Sequence, residues 1–251
     1  MAKYVLFDTE TTGNKDDDRI IQIGAMIVDA KAPIEVYDEL CSSEVEIKLE
    51  AMEVHNITPD VIVGKPKAIE TTVYNKILEL NNSSNYLIAH NISFDLGMME
   101  KEGFLNQYKL IDTLRCAKHL YQDLPYHRLQ YLRYALDLYK EEDAEAAKNN
   151  ITIKAHDAIG DVLVMKLFLS KLVAKCREVY PDYNPMEKLE DLTKTPVFIK
   201  TFKFGKHRGR DTAEVAQEDM GYLNWMQKNM DLDEDLKYTL DKLTSNNTSN
   251  Y

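Results

Sequence analysis

The sequence predicts an α/β fold followed by a small, mostly helical C-terminal extension. Strand-like runs fill much of the first 41 residues. From residue 67 onward, apolar residues at helical spacing alternate with short apolar runs of strand length, which is typical of helices packed on a sheet. After residue 185 the chain has few strand-forming runs, and this favours helices in the extension.

The first strand is predicted at residues 4–7, which are apolar on both alternating faces. Such a run is typical of a central strand that is covered on both sides. Gly13 permits the chain to turn, and residues 19–29 and 34–41 are predicted as two further strands. Three consecutive strands favour an antiparallel meander.

Helical and strand patterns then alternate along the chain. Residues 67–80 carry apolar side chains at helical spacing, and residues 86–89 are typical of a short buried strand. We predict further helices at residues 93–103, 113–122, 128–138 and 155–179, and a further strand at residues 108–111.

A turn-rich break at residues 181–185 predicts a domain boundary. It separates a first domain, residues 1–180, from a small second domain, residues 186–251. In the second domain residues 202–209 predict a short strand or tight turn. Helices are expected around residues 212–217, 221–228 and 233–243, with a frayed end at residues 244–251.

The composition is that of an ordinary globular protein and excludes wholesale disorder, since 44% of the 251 residues are hydrophobic and 29% are charged. Cys41, Cys116 and Cys176 are widely separated, which argues against a disulfide framework or a cysteine zinc site. No apolar run approaches the length of a membrane span. We therefore expect a cytoplasmic protein without a membrane anchor.

The net charge of −11 is unusual for a protein that binds phosphate, but the charge is unevenly distributed. Residues 197–210, here called the basic stretch, contain no acidic residue. The basic stretch holds Lys200, Lys203, Lys206, His207, Arg208 and Arg210.

Three short motifs carry the residues suited to chemistry: residues 8–13 (D-T-E-T-T-G), 90–95 (H-N-I-S-F-D) and 156–161 (H-D-A-I-G-D). Asp8 and Glu10 project to the same face of an extended strand, so their carboxylates can share a pair of cations. Together the motifs supply four carboxylates and one histidine. Such a set can hold two hard divalent cations and leave an imidazole to take a proton from water, as phosphodiester hydrolysis requires.

Spacing separates the roles within the third motif. His156 and Asp161 are five residues apart and would point in different directions in a regular helix. His156 is therefore expected at or before the helix start, with Asp161 in the first turn. Asp157 is expected to cap the helix or to support the site from behind, because aspartate is favoured as an N-cap. Taken singly, any of these residues is more often a surface charge or a structural histidine, and only their conjunction favours catalysis.

The three motifs resemble those of the DEDDh exonucleases, a family that includes polymerase proofreading subunits, and the likeness covers roughly the first 175 residues. It implies a ribonuclease H-like fold with a mixed five-stranded sheet. It also implies that Asp8, Glu10, Asp95 and Asp161 hold two divalent cations, Mg²⁺ or Mn²⁺, with His156 as general base. The implied products are nucleoside 5′-monophosphates released from a 3′ end.

The resemblance extends to residues beside the terminal nucleotide. Residues 55–58 (H-N-I-T) are similar to the family's H-G-I-T segment, with Asn56 in place of glycine. The residues expected to contact substrate are Thr11, Thr12, His55, Asn91, Phe94, Lys206 and Arg208.

Residues 204–209 and 219–225 look like the tail of exodeoxyribonuclease X-like proteins. Glycines on either side of a basic tip would expose Lys206 and Arg208 to phosphate. The alternative is a solvated hairpin, and we expect Tyr222 and Trp225 to pack in the core of the small domain.

The tail favours DNA 3′ ends as the substrate. A 3′–5′ exoribonuclease on the same fold and a non-cleaving nucleic-acid-binding subunit are the alternatives. No linear motif reveals a contact to the 2′-hydroxyl that would separate RNA from DNA. Strand preference, oligomeric state and an association with a polymerase or a repair complex stay open at this point.

Overall fold

A five-stranded mixed sheet organises the larger part of the chain. The structure is a computed structural model that describes residues 2–152 and 157–245. The strand order is β3-β2-β1-β4-β5; β1, β2 and β3 are antiparallel, while β4 runs parallel to both β1 and β5. The strands are β1 (Tyr4–Thr11), β2 (Ile20–Val28), β3 (Glu35–Leu40), β4 (Tyr86–Ala89) and β5 (Lys109–Asp112).

Nine helices in the described residues accompany this sheet. They are α1 (Leu49–His55), α2 (Pro59–Ile62), α3 (Thr72–Glu79), α4 (Ile92–Lys101), α5 (Thr113–Leu120), α6 (Leu129–Ala135), α7 (Tyr139–Lys148), α8 (Ala158–Val179) and α9 (Pro185–Lys194). A short 3₁₀ turn, Ala68–Glu70, precedes α3.

All five strands were predicted from their apolar patterns, and four helices were not. Helix α2 is a single turn, and α1 has few buried side chains. Helix α7 is rich in glutamate and alanine and buries little apolar surface, so it lacks an amphipathic signal. Helix α9 directly follows the turn-rich segment and buries only two leucines, so its sequence did not predict a helix.

The two faces of the sheet are covered by different helices. One face buries Val5, Phe7 and Leu87 in a cluster that also contains Ile77 of α3 and Met99 of α4. Helix α8 packs on β1 and β2 and buries eleven of its residues. The double coverage explains why β1 is apolar on both faces.

Gly24 of β2 sets how closely helix α8 approaches the sheet. It pairs with Asp8 of β1, and a Cβ placed on it would lie 2.6 Å from the backbone of both Ala158 and Ile159. Only a residue without a side chain permits this contact. The start of α8 therefore lies directly beside the strand position of Asp8.

The C-terminal extension forms a second compact unit, residues 194–251 together with residues 121–124. Its helices are α10 (Thr212–Glu218), α11 (Met220–Asn229) and α12 (Glu234–Ser245), which confirms the mostly helical prediction. Their core contains Phe202, Val215, Leu223 and Leu240. The predicted strand or turn at residues 202–209 is a tight turn closed by two backbone hydrogen bonds, Phe202 to Arg210 and Gly209 to Phe202.

The division between the units falls after residue 193, later than the predicted break at residues 181–185. Helix α9 contacts β5 and α5 of the first unit: the Asp112 backbone amide donates to Thr193 Oγ1 over 2.9 Å, and the Cys116 thiol donates to the Leu189 carbonyl. Turn-forming residues therefore marked a bend within the first unit. Among the helices of the described residues, none has the length and apolarity that a membrane crossing requires.

Replacing Gly24 tests the close approach of α8. We expect Gly24→Ala to lower the free energy of unfolding by about 1–3 kcal/mol, because the clash is with backbone atoms that cannot rotate away. Gly97→Ala in α4 is the matched control, since its Cβ would meet nothing within 4 Å and alanine favours a helix. Denaturant unfolding measures the free energy of unfolding of both variants. Equal values for Gly24→Ala and Gly97→Ala would contradict the close approach of α8.

Candidate active site

Four of the predicted catalytic carboxylates come from three elements that meet at one end of β1. Asp8 and Glu10 lie on β1, Asp95 lies in the first turn of α4, and Asp161 lies in the first turn of α8. They influence one another electrostatically: the causes that raise the pKa of Asp8 include the charges of all three others. The fold thus places Asp8, Glu10, Asp95 and Asp161, which come from three separate motifs, near one another. We call these four residues the carboxylate cluster.

The end of β4 explains how Asp95 reaches β1. Strand β4 pairs with β1 only as far as Leu6, and the chain then turns into α4. The backbone amide of Thr9 lies beyond this pairing and donates to Asp95 Oδ1 over 3.0 Å. The Thr9 hydroxyl donates to the same oxygen over 2.7 Å, so one buried side chain fixes another.

Burial and like charge raise the pKa values in the carboxylate cluster. Burial raises the pKa of Asp8 well above its ordinary value, and the neighbouring carboxylates add to the effect. The pKa of Glu10 rises to about 8 through burial and the charges of Asp161, Asp95 and Asp157. Burial raises the pKa of Asp95 to about 7 despite the hydrogen bonds from Thr9. Protons or positive charge therefore stabilise this cluster near neutral pH.

The carboxylate oxygens of the cluster are chemically suited to bind divalent cations. Buried carboxylate oxygens are the ligands that Mg²⁺ and Mn²⁺ prefer, and nearby cations would remove the repulsion that raises the pKa values. In residues 2–152 and 157–245, no three histidine, cysteine, aspartate or glutamate side chains converge closely enough to enclose a metal ion. Two of the four carboxylates instead accept hydrogen bonds from protein donors, Asp95 from Thr9 and Asp161 from Gln130.

Gln130 of α6 donates a hydrogen bond to Asp161, as Thr9 does to Asp95. Its Nε2 donates to Asp161 Oδ1 over 2.6 Å, and its Oε1 accepts a hydrogen bond from Arg133. Arg133 is held in turn by an ion pair with the buried Glu142 of α7. Sequence reasoning missed Gln130 because the contact joins residues 31 positions apart and no local motif signals it.

The start of helix α8 is anchored by a side chain that the sequence did not single out. Asp157 is the N-cap residue, but its side chain makes no capping hydrogen bond, so the first of its two expected roles is not observed. Asp157 Oδ1 instead accepts from Gln22 Nε2 over 2.6 Å, and the same nitrogen donates to Asp38. A buried polar residue inside the apolar strand β2 was the available signal for Gln22. The predicted base His156 lies outside the described residues.

Thr11 and Thr12, expected to contact substrate, use their hydroxyls within the protein. Thr11 Oγ1 donates to the Gly13 carbonyl over 2.7 Å, and Thr12 Oγ1 donates to Asp18 Oδ1 over 2.9 Å. Asp18 is buried and also pairs with Lys48. These contacts fix the loop that follows Glu10, so both threonines shape the site from within.

His55 is likewise occupied at both ring nitrogens. The Ile57 amide donates to Nδ1 over 3.0 Å, which leaves Nε2 protonated and facing the Thr11 carbonyl at 3.2 Å. Burial lowers the pKa of His55, so the ring is neutral and links α1 to the end of β1. Asn56 has a φ of 59° and adopts the left-handed conformation that glycine would adopt, so the replacement preserves the backbone path.

A cleft of about 700 Å³ lies beside these residues, lined by His55, Asn56, Gln22, Asp157 and Asp38 among others. Its walls therefore include both the segment around His55 and the start of α8.

The remaining predicted contacts differ in exposure. Asn91 is exposed, with a φ of 75°, and its amide donates to Asp112 Oδ1 over 3.0 Å. Phe94 is half-buried and packs against the sheet core. Lys206 and Arg208 lie in the second unit. Lys206 pairs with Asp219 over 2.7 Å, whereas Arg208 is exposed.

Comparisons with known proteins identify the family of the chain. The protein family described as Exonuclease matches residues 5–168. The chain belongs to this exonuclease family. Residues 202–231 of this exonuclease also match the family described as Exodeoxyribonuclease X-like C-terminal, which confirms both resemblances predicted from the motifs.

Individual relatives support the assignment. The chain is 27% identical to Exodeoxyribonuclease 10 of Escherichia coli strain K12 over 94% of its own length and 96% of the relative's. It is 31% identical to DNA polymerase III subunit epsilon of Treponema pallidum strain Nichols, over 53% of this exonuclease and 63% of the relative.

Solved structures agree with the fold. Exonuclease X in complex with 5′ overhanging duplex DNA aligns with a TM-score of 0.54 at 19% identity, covering 76% of this exonuclease and 99% of that chain. Escherichia coli exonuclease I in complex with a dT13 oligonucleotide aligns with a TM-score of 0.52 at 21% identity, covering 73% and 43%. The predicted ribonuclease H-like fold is confirmed.

Replacing Gln130 tests whether it positions Asp161. We expect Gln130→Ala to weaken Mn²⁺ binding by about 10- to 100-fold, because Asp161 loses the donor that fixes its carboxylate. Electron paramagnetic resonance of free Mn²⁺ measures the affinity without any turnover. Gln227→Ala is the matched control, since Gln227 donates to the exposed Asp241 in the second unit. Equal affinities in the two variants would exclude the positioning role.

Proposed function

We propose that the chain is a metal-dependent 3′–5′ exonuclease that releases nucleoside 5′-monophosphates from DNA 3′ ends. The carboxylate cluster carries the proposal: in a member of the exonuclease family, burial raises the pKa values of Asp8, Glu10 and Asp95, and the charge of Asp161 adds to the rise at Asp8 and Glu10. A protein that only held nucleic acid would gain nothing from such repulsion, since phosphates are themselves anionic.

The residues proposed to hold two divalent cations, Mg²⁺ or Mn²⁺, are Asp8, Glu10, Asp95 and Asp161. When bound, such cations activate water and stabilise the charge that develops on a phosphodiester. Thr9 and Gln130 orient two of the carboxylates through the hydrogen bonds to Asp95 and Asp161.

His156 is proposed as the general base that removes the proton of the attacking water. This role rests on its place in the third motif, five residues before Asp161. A histidine suits the task because its ordinary pKa lies near neutrality, so the neutral ring is available at physiological pH.

The residues proposed to contact the terminal nucleotides are those beside the carboxylate cluster. Asn91 is exposed at the N-cap of α4. Phe94 lies in the first turn of the same helix, directly before Asp95. Thr11, Thr12 and His55 would act by fixing the loop and the cleft that receive the strand end.

DNA is the proposed substrate because a relative that matches nearly the whole chain is named an exodeoxyribonuclease. A solved structure of the same fold holds 5′ overhanging duplex DNA. Association with a polymerase is also proposed, and it rests only on the likeness to a DNA polymerase III epsilon subunit.

Labelled oligonucleotides test the function. We expect DNA carrying a 5′ label to shorten stepwise from its 3′ end with Mg²⁺, and EDTA to stop the reaction. His156→Ala should lower the rate by about 10² to 10⁴-fold, because it removes the base. Asp161→Ala should lower it further, since it removes a ligand. Asp143→Ala, which removes an exposed carboxylate on α7, is the control.

Three results would contradict the proposal. Normal turnover by Asp161→Ala would remove Asp161 from the site, and cleavage in EDTA would reject a metal mechanism. Faster shortening of a matched RNA strand would replace the proposed substrate with RNA.

A further inference from the structure

Trp225, the only tryptophan of the chain, is exposed where a core residue was expected. Its side chain is 52% exposed, although its neighbours Leu223 and Met226 on α11 are buried. The prediction that Trp225 packs in the small core is therefore wrong. Tryptophan is highly buried on average, so an indole that is half in water is unusual.

A rigid support holds the exposed indole. The Tyr222 ring stacks against Trp225 with 6.0 Å between ring centroids and an interplanar angle of 19°. Phe202 and His207 each meet Tyr222 edge to face, at 6.3 Å and 4.9 Å. Gly205 has a φ of 72°, which favours glycine, and a Cβ there would collide with the Tyr222 hydroxyl.

Charge around this aromatic stack is positive on balance. Asp219 accepts hydrogen bonds from both Lys206 and His207, which hold its pKa at about 2. That carboxylate is therefore neutralised by its neighbours. Arg208, on the same loop, is exposed and has no acidic partner among the described residues, and the same is true of Lys203. Phe204 between them is 41% exposed.

We infer that this aromatic and basic surface, formed by Trp225 on Tyr222 with Phe204, Arg208 and Lys203, binds a single-stranded segment of nucleic acid. An unpaired base stacks on the indole, while the cations contact backbone phosphates. Bases within a duplex are already stacked on each other and are not available to a side chain, so a single strand is the form that fits. The inference deepens the proposed function, and rests on it for the identity of the ligand.

Intrinsic fluorescence tests the inference directly because Trp225 is the only tryptophan. The full chain is titrated in EDTA with unlabelled single-stranded oligonucleotides and with blunt duplex DNA. We expect saturable quenching by single strands and little by the duplex. Quenching reports stacking on Trp225 itself, so binding elsewhere in the chain does not imitate it.

Variants separate stacking from charge, with binding measured by anisotropy of a labelled single strand. Trp225→Ala should weaken binding about tenfold or more, and Trp225→Phe should recover most of it because a ring remains. Arg208→Ala should reduce the slope of log affinity against log salt by about 0.7. Lys237→Ala, an exposed lysine on α12, is the matched control and should leave the affinity unchanged.

Failure of the inference can be told apart from failure of the proposed function. Cleavage of DNA without Trp225 quenching overturns the inference alone, and so does equal affinity of Trp225→Ala and the unmodified chain. Quenching without cleavage of any substrate overturns the proposed nuclease and leaves the binding surface standing.

Discussion

The burial of neighbouring, like-charged carboxylates is the constraint on which the site depends. Asp8, Glu10 and Asp95 all have raised pKa values because burial and like charge disfavour their ionised forms. A fold does not gather such groups for stability, since unpaired buried charge is strongly unfavourable. Protons relieve this cost in acid, and we propose that cations relieve it at neutral pH, which links the energetics of the fold to the proposed chemistry.

The surrounding structure holds the carboxylates in place against this repulsion. Neutral donors do much of this: Thr9 fixes Asp95, and Gln130 fixes Asp161. Gly24 lets the backbone of α8 lie against β2, and Gln22 ties the start of that helix to the sheet through Asp157. Uncharged hydrogen-bond donors orient carboxylates without competing with a cation for the negative charge.

Much of this structure could be predicted because its signals are local. Strands β1, β2 and β4 have apolar runs of the right length, and the acidic motifs lie at the ends of elements where the carboxylates meet. Helices α1, α2, α7 and α9 were missed because short or strongly polar helices have little amphipathic pattern. Gln22 and Gln130 were missed because their partners are distant in sequence, and Trp225 because its exposure depends on how the second unit packs.

The most direct test of the central claim is the free energy of unfolding of the metal-free protein against pH. Native pKa values of about 8 for Glu10 and 7 for Asp95 exceed ordinary carboxyl values. At pH values between the ordinary and the native pKa, the native state therefore binds more protons than the unfolded state. Stability should be greatest in mild acid and fall as pH rises towards 8, by roughly 1.4 kcal/mol per pH unit for each differentially protonated group.

At pH 8, saturating Mg²⁺ should restore stability to the unmodified chain, because it binds only the native state. Asp8→Asn should be more stable than the unmodified chain without metal, since it removes a buried carboxylate, and it should gain little from Mg²⁺. A stability that is independent of pH over this range, or an Asp8→Asn protein less stable than the unmodified chain, would contradict the account.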